Sequence, residues 1–323
     1  MTEKQKTEVD RMMELWITQE GKLHRLKAPE AGCWVRLTEP DEKELAWVKA
    51  TFGIPGKDLE GPMDLQETPR ARVTDESAQI LLDVPALSQG VDGGFQAIPL
   101  GLVVKKDVVV TVSSRKNTVL DALTAGKGPV PDTASPVEFV NGVLAAVARS
   151  YQDDLRKLDA RRQEVETRAG EQVAKQDLIT LHNVETSLIW FGCSLKANVK
   201  ALEQLRDQLS SSKFCQEQET LEEAAVEMNQ AAAMTDMYRE IASATRDLVA
   251  DLADNRLNNV MKFLTSMTLV LAVPTIVSGF YGMNVNEDSI PLADLTHSFL
   301  VVVVLTLVLT VLVIVVLKKK KML

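Results

Sequence analysis

Cysteine and histidine are scarce: three of each in 323 residues, Cys33, Cys193 and Cys215, and His24, His182 and His297. No two cysteines form a CxxC pair and no histidine joins them at ligand spacing, so neither a zinc site nor a disulfide framework is expected. Isolated thiols of this kind fit a reducing compartment. Positive charge is also in short supply, with 36 Lys and Arg against 45 Asp and Glu and a net charge of -9, which argues against nucleic acid as a partner. The chain shows no phosphate loop, no nucleophile motif and no metal-ligand cluster, so enzymatic catalysis has no support in the sequence. Its first residues, MTEKQKTEVDR, are charged and lack an apolar core, so no cleavable signal peptide is expected.

Charge itself disappears twice. Residues 263–286 and 295–317 contain no Asp, Glu, Lys or Arg, although charge is dense up to Lys262. A helix of just over twenty residues rises roughly 35 Å, enough to cross an apolar bilayer core of about 30 Å. Lys318, Lys319, Lys320 and Lys321 follow the second run, and the positive-inside rule assigns that end to the cytosol. Two spans then place the N-terminal part in the cytosol as well, and the connecting loop outside. The expected organisation is a cytosolic α/β domain at 1–130 and a long helical stalk at 131–260. A first span at 261–282, an external loop at 283–294, a second span at 295–317 and a basic cytosolic tail at 318–323 complete it. The lysine cluster admits two readings, a stop-transfer anchor or a ring of charge at the inner mouth of an oligomeric pore.

The first run is not uniformly apolar. Met261, Thr265, Thr268, Ala272, Thr275, Gly279 and Gly282 recur at alternating spacings of three and four, which places them on one helical face. Asn258 sits three residues before this stripe. Membrane helices use small residues to approach one another closely; several copies of such a face could instead line a water-filled pore. One chain has one such helix, so a pore requires a symmetric homo-oligomer.

Proline is absent between Pro136 and Lys262, and glycine occurs there only at positions 142, 170 and 192, a composition of long helices. Apolar residues repeat at helical spacing from Leu181 through Leu188 and Leu195 to Leu209, as in a helix packed against neighbours. A turn is expected at 210–217, followed by one helix from about Glu219 to Tyr281, on the order of 90 Å long. Upstream, strands are expected at 14–18, 32–37, 70–74, 79–83, 97–104 and 108–113, and helices at 42–52 and 116–125. The hairpin about Lys105, Lys106 and Asp107 is the clearest local signal. The segment GKGPVPDTAS, 126–135, reads as the link into the helical region.

Gly282, Met283 and Asn284, preceded by Tyr281, end the first of two C-terminal spans and resemble the signature of the CorA magnesium transporter family. TEPDEKELAWVKATFGIP, PLGLVVKKDVVVTVS, HNVETSLIWFGCSLKANVKALEQL, MTDMYREI and NNVMKFLT look like family segments in family order, so the likeness extends over nearly the whole chain. It implies a homopentamer in the cell membrane, with an α/β domain, a funnel of long helices and a pore lined by the first span. Mg2+ would be the transported ion, with Co2+ and Ni2+ as surrogates. By the same resemblance, Asn284 and the Gly282 backbone receive a hydrated cation at the outer mouth. Thr275 and Asn258 match polar rings, Met261 and Leu264 a hydrophobic constriction, and Asp247 an inner acidic ring. The family's regulatory Mg2+, which holds the closed state, implies Glu60 and Glu223 as sensor carboxylates. A family aspartate falls on Gly61 here, with Asp64 as the candidate substitute, and the loop NVNEDSIPL also departs from the usual pattern. A zinc-transporting branch, whose signature differs at the middle residue, and a non-conducting membrane-anchored scaffold are the two rival expectations.

Overall fold

The computed structural model describes residues 13–88, 93–126, 130–171, 173–211, 219–283, 297–320 and 322. They fall into two compact units, Met1–Arg246 and Asp247–Leu323. The first unit is built on one seven-stranded sheet of order β2-β1-β3-β7-β6-β5-β4. Its strands are β1 (Met13–Gln19), β2 (Lys22–Leu26), β3 (Cys33–Thr38), β4 (Arg70–Val73), β5 (Ser77–Leu87), β6 (Phe95–Lys105) and β7 (Val108–Ser113). Only β3 and β7 pair in parallel.

Both faces of this sheet are covered, and the side chains sort by alternation along each strand. Trp34, Ile80, Leu82, Leu100, Leu102 and Val109 face one core, whereas Val35, Leu37, Val103, Val110 and Val112 face the other. Burial on both sides explains the unbroken apolar run VVV that opens β7. Helix α1 (Glu42–Phe52) and the short α2 (Gly56–Glu60) cover the second face through Val48, Leu59 and the neighbouring Met63. Asp41 caps α1 in a reciprocal capping box with Glu44. On the opposite face lie α3 (Thr118–Thr124), α4 (Pro136–Glu171), α5 (Lys175–Ser211) and the N-terminal part of α6 (Glu219–Tyr281).

Two strands depart from the sequence expectation. β2, KLHRL, was not expected, because its Lys, His and Arg give it no apolar run; it is an edge strand, where charge is tolerated and even protective. Its hairpin turns at Glu20 and Gly21, both with positive φ (51° and 74°). β5 extends well past its expected end at 83, through Pro85. Beyond Leu81 the strand has β6 as its partner but no longer β4, so Pro85 removes no ladder hydrogen bond on that free side.

One close approach fixes how the α2 segment seats on the sheet. A Cβ added at Gly101 in β6 would lie 2.1 Å from Pro62 Cγ, and a proline ring has no rotamer by which to retreat. Gly101→Ala should therefore destabilise the first unit by about 1–3 kcal/mol, as overpacking does. A fall in the denaturation midpoint with an unchanged denaturant slope is the expected observation.

Deeper in the helical face, Asn198 brackets the Asp83 backbone, accepting from its N–H and donating to its carbonyl at 2.8 Å each. Burial pushes the Asp83 carboxyl up, partly offset by a hydrogen bond from Ser194. Near the end of the unit, Arg162 on α4 donates to Thr245 Oγ1 of α6 at 2.9 Å while pairing with Asp159 and Glu166. Arg246 pairs with Glu185 of α5 at 3.3 Å. These polar contacts fix α6 against α4 and α5 where the chain leaves the sheet domain.

Candidate functional site

The second unit contains the C-terminal part of α6 and helix α7 (Ser298–Lys319). Both helices are long and apolar enough to cross a membrane. Pro274 lies inside α6 without ending it, as membrane helices tolerate.

Within the apolar run of α6 the less exposed residues, apart from Ala272, are Ser266, Val270, Val273, Val277 and Tyr281, with Lys262 just before it; on α7 they include Val302, Thr306, Thr310, Val313 and Leu317. Each set recurs at helical spacing, so each helix has one sheltered face. The Ser266 hydroxyl, completely buried, donates to the Met322 carbonyl at 2.8 Å and ties the two ends together.

At 100° per residue, the stripe of Met261, Thr265, Thr268, Ala272, Thr275, Gly279 and Gly282 falls on the side of α6 roughly opposite this sheltered face. Asn258, Met261, Leu264, Thr265, Thr268, Thr275, Gly279 and Gly282 are all exposed, and Ala272 is half-buried. The small residues are thus not used for packing against the second helix of the same chain. A Cβ at Gly279 would meet nothing within 4 Å.

The threonines of the stripe share one geometry. Thr265, Thr268 and Thr275 each donate their hydroxyl proton to the carbonyl four residues earlier, at 2.8, 2.9 and 2.9 Å. With the proton committed to the helix, the oxygen lone pairs remain as acceptors. The face therefore offers acceptor oxygens, spaced by one or two turns and framed by small residues. At its end, the Gly282 N–H bonds to Ser278 O at 2.9 Å, and Met283 N–H reaches Phe280 O at 3.4 Å in a tightening last turn. A Cβ at Gly282 would come within 3.1 Å of Ser278 O, so a side chain there would crowd this terminus. Asn284 and the rest of the loop to 296 lie outside the described residues.

Asp247, at the start of this unit, is exposed, as are Lys318, Lys319 and Lys320; Lys321 lies outside the described residues. The proposed sensor carboxylates sit in the first unit. Glu60 ends α2, beside Leu59 of one core, while Glu223 lies on α6 between Leu221 and Ala224 of the other. The sheet separates them, so one chain does not bring them together. Asp64 Oδ1 accepts from Gln66 N–H at 2.9 Å, and a Cβ at Gly61 would have ordinary contact with Arg70 at 3.6 Å. Among the described residues, no group of three or more His, Cys, Asp or Glu is placed to hold a metal ion.

A sequence model of the family described as CorA-like Mg2+ transporter protein matches residues 29–319. A cobalt/magnesium transport protein CorA of Methanocaldococcus jannaschii is 26% identical over 274 residues, 84% of each chain. Among solved structures, the complete CorA magnesium transporter from Methanocaldococcus jannaschii superposes with a TM-score of 0.76 at 23% identity. That match covers 94% of this chain and 96% of the other. The ZntB cytoplasmic domain from Vibrio parahaemolyticus gives a TM-score of 0.60 at 10% identity, covering 76% and 99%.

Proposed function

This chain belongs to the CorA-like Mg2+ transporter family, a family of membrane transporters and not of enzymes, and we propose that it conducts Mg2+ into the cell through a homopentameric pore lined by α6. The observation that carries this reading is the bare stripe. A face of acceptor oxygens and small residues turns away from α7, so its natural neighbours are the same faces of symmetry-related copies. Gly282, Met283 and Asn284 form the outer mouth, Thr275, Thr268 and Thr265 the polar wall, and Met261 and Leu264 the apolar constriction. Asn258 and Asp247 provide the inner rings. The N-terminal domain and the lysine tail face the cytosol.

The chemistry is coherent with a hydrated ion. Mg2+ holds its waters tightly and prefers octahedral oxygen coordination. Its bound waters are hydrogen-bond donors, and hydroxyls whose own protons are committed present them only acceptors. Neutral acceptors bind such an ion weakly at several successive sites, as conduction requires. An inside-negative potential favours entry of a divalent cation by about 4.6 kcal/mol per 100 mV, twice the single-charge value. No nucleotide is needed.

Cytosolic Mg2+ regulates this pore by binding the closed pentamer better than the open one, which shifts the population toward closure. Glu60 with Asp64 from one protomer and Glu223 from the next are the proposed ligands, since the sheet separates them within a chain. Glu223 and the stripe lie on one uninterrupted helix, which gives the cation a path to the pore.

Ion flux into liposomes with the cytosolic side either free of Mg2+ or loaded with it tests both claims. Uptake should be rapid in the first case and suppressed severalfold in the second, and Glu60→Gln combined with Glu223→Gln should relieve the suppression. Robust Zn2+ flux without Mg2+ flux would sink the magnesium assignment in favour of the zinc-transporting branch.

A further inference from the structure

The lysines at the end of α7 are not on a free tail. Lys320 N–H donates to Val316 O and Met322 N–H to Leu317 O, both at 3.0 Å. The Met322 carbonyl accepts from the buried Ser266 hydroxyl. Leu317 is 5% exposed and Ser266 0%. The backbone carrying Lys318, Lys319 and Lys320 is thereby fixed to α6 one helical turn beyond Lys262, where the charge-free run of α6 begins. Lys318, Lys319 and Lys320 are exposed and Lys262 half-buried. None of the four is in an ion pair among the described residues.

Four cations are thus held at the border of an apolar zone. On its apolar side the exposed residues include Leu312, Val315 and Val316 of α7 and Phe263 and Met267 of α6. A soluble anion answers only the charge. A molecule with an anionic head and apolar chains answers both, with the chains along α7 and the head among the ammonium groups. Lysines near a helix end reach toward the headgroup layer in this way, and clustered basic residues at that depth select anionic lipid. We propose that Lys262, Lys318, Lys319 and Lys320, fixed in place by the Ser266–Met322 hydrogen bond, form a headgroup site for an anionic phospholipid in the cytoplasmic leaflet. The proposal stands whether or not α6 lines a pore.

The test is lipid retention, read independently of ion flux. The full chain is placed in mixed phosphatidylglycerol and phosphatidylcholine bilayers, extracted mildly, and its retained lipids are counted. Phosphatidylglycerol should be enriched over its share of the mixture, by about fivefold for each lysine engaged. Replacing Lys318, Lys319 and Lys320 together with glutamine should remove most of the enrichment, leaving only the share of Lys262, and arginine at the same positions should restore it. Ser266→Ala, which keeps every charge but frees the tail, should lower the enrichment at least twofold. No enrichment by the native chain, or equal enrichment by the glutamine or Ser266→Ala variant, would overturn the proposal. Displacement of the lipid by inorganic phosphate would overturn it in favour of a soluble anion.

Discussion

Liposomes carrying Asn284→Ala should take up Mg2+ at no more than about a tenth of the native rate, with unchanged protein content and unchanged oligomeric state. The expectation follows from what an amide does at the end of the stripe. In the proposed pore its carbonyl oxygen would accept from a water already polarised by the ion, and a hydrogen bond to such a charged donor is worth about 1.5–3 kcal/mol. In a symmetric assembly alanine removes one such bond from every copy at once, and about 1.4 kcal/mol already corresponds to tenfold. Gly282 and Met283 supply backbone at the same level, so some residual flux is expected. Asn284→Asp should behave differently. A ring of carboxylates binds the cation more tightly and releases it more slowly, so half-saturation should fall to lower Mg2+ while the maximal rate also drops. A scaffold with no pore requires that neither substitution change cation flux, and an unaltered rate for Asn284→Ala would establish that reading instead.

The long helices and most strands are legible in the sequence because local and tertiary demands agree there. α6 runs from Glu219 to Tyr281 as its composition predicts: no proline or glycine interrupts it before the apolar run, and Pro274 within that run is absorbed. β7 is legible because both of its faces are buried, which leaves an unmistakable apolar run. β2 is not, because an edge strand of Lys, His and Arg carries no pattern that a loop lacks. Nor is the full length of β5, where Pro85 reads as a stop until β4 is known to end before it. The stripe on α6 could be found by spacing alone. That it faces away from α7 could not, since the sheltered residues Lys262, Ser266 and Val270 have no common chemistry that marks them as a contact face. The Ser266–Met322 bond is invisible to sequence for the same reason: its acceptor is a backbone carbonyl far along the chain. The proposed sensor is the least legible in the sequence. Glu60 and Glu223 are brought in by family resemblance, and the sheet that separates them within one chain shows why no local pattern could join them.

Cysteines placed on the stripe should separate a water-filled pore from close helix packing. In a background with Cys33, Cys193 and Cys215 replaced by serine, Thr268→Cys or Thr275→Cys should react with a cationic, membrane-impermeant thiol reagent. Reaction should abolish most Mg2+ uptake. Met267→Cys and Leu269→Cys, exposed positions on α6 that lie off both the stripe and the face toward α7, should neither react nor lose flux, because lipid excludes a charged reagent. The size of the block follows from electrostatics. Two unit charges about 4 Å apart interact by about 4 kcal/mol at an effective dielectric of 20, and a divalent ion doubles this. A single fixed cation in the lumen thus raises the barrier by far more than the amount that costs tenfold in rate. Tight packing of small residues against a neighbouring helix makes the opposite demand. There the stripe is dry and closed, so Thr268→Cys and Thr275→Cys should stay as unreactive as Met267→Cys, and that result would remove the pore. Graded reactivity is informative as well. In the proposed pore Thr275 would lie nearer the outer mouth and Thr268 nearer a constriction at Met261 and Leu264, so reagent added outside should reach Thr275→Cys first. Cytosolic Mg2+ should slow both reactions only if closure narrows the pore along its length, whereas slowing confined to Thr265→Cys would place the gate at the constriction.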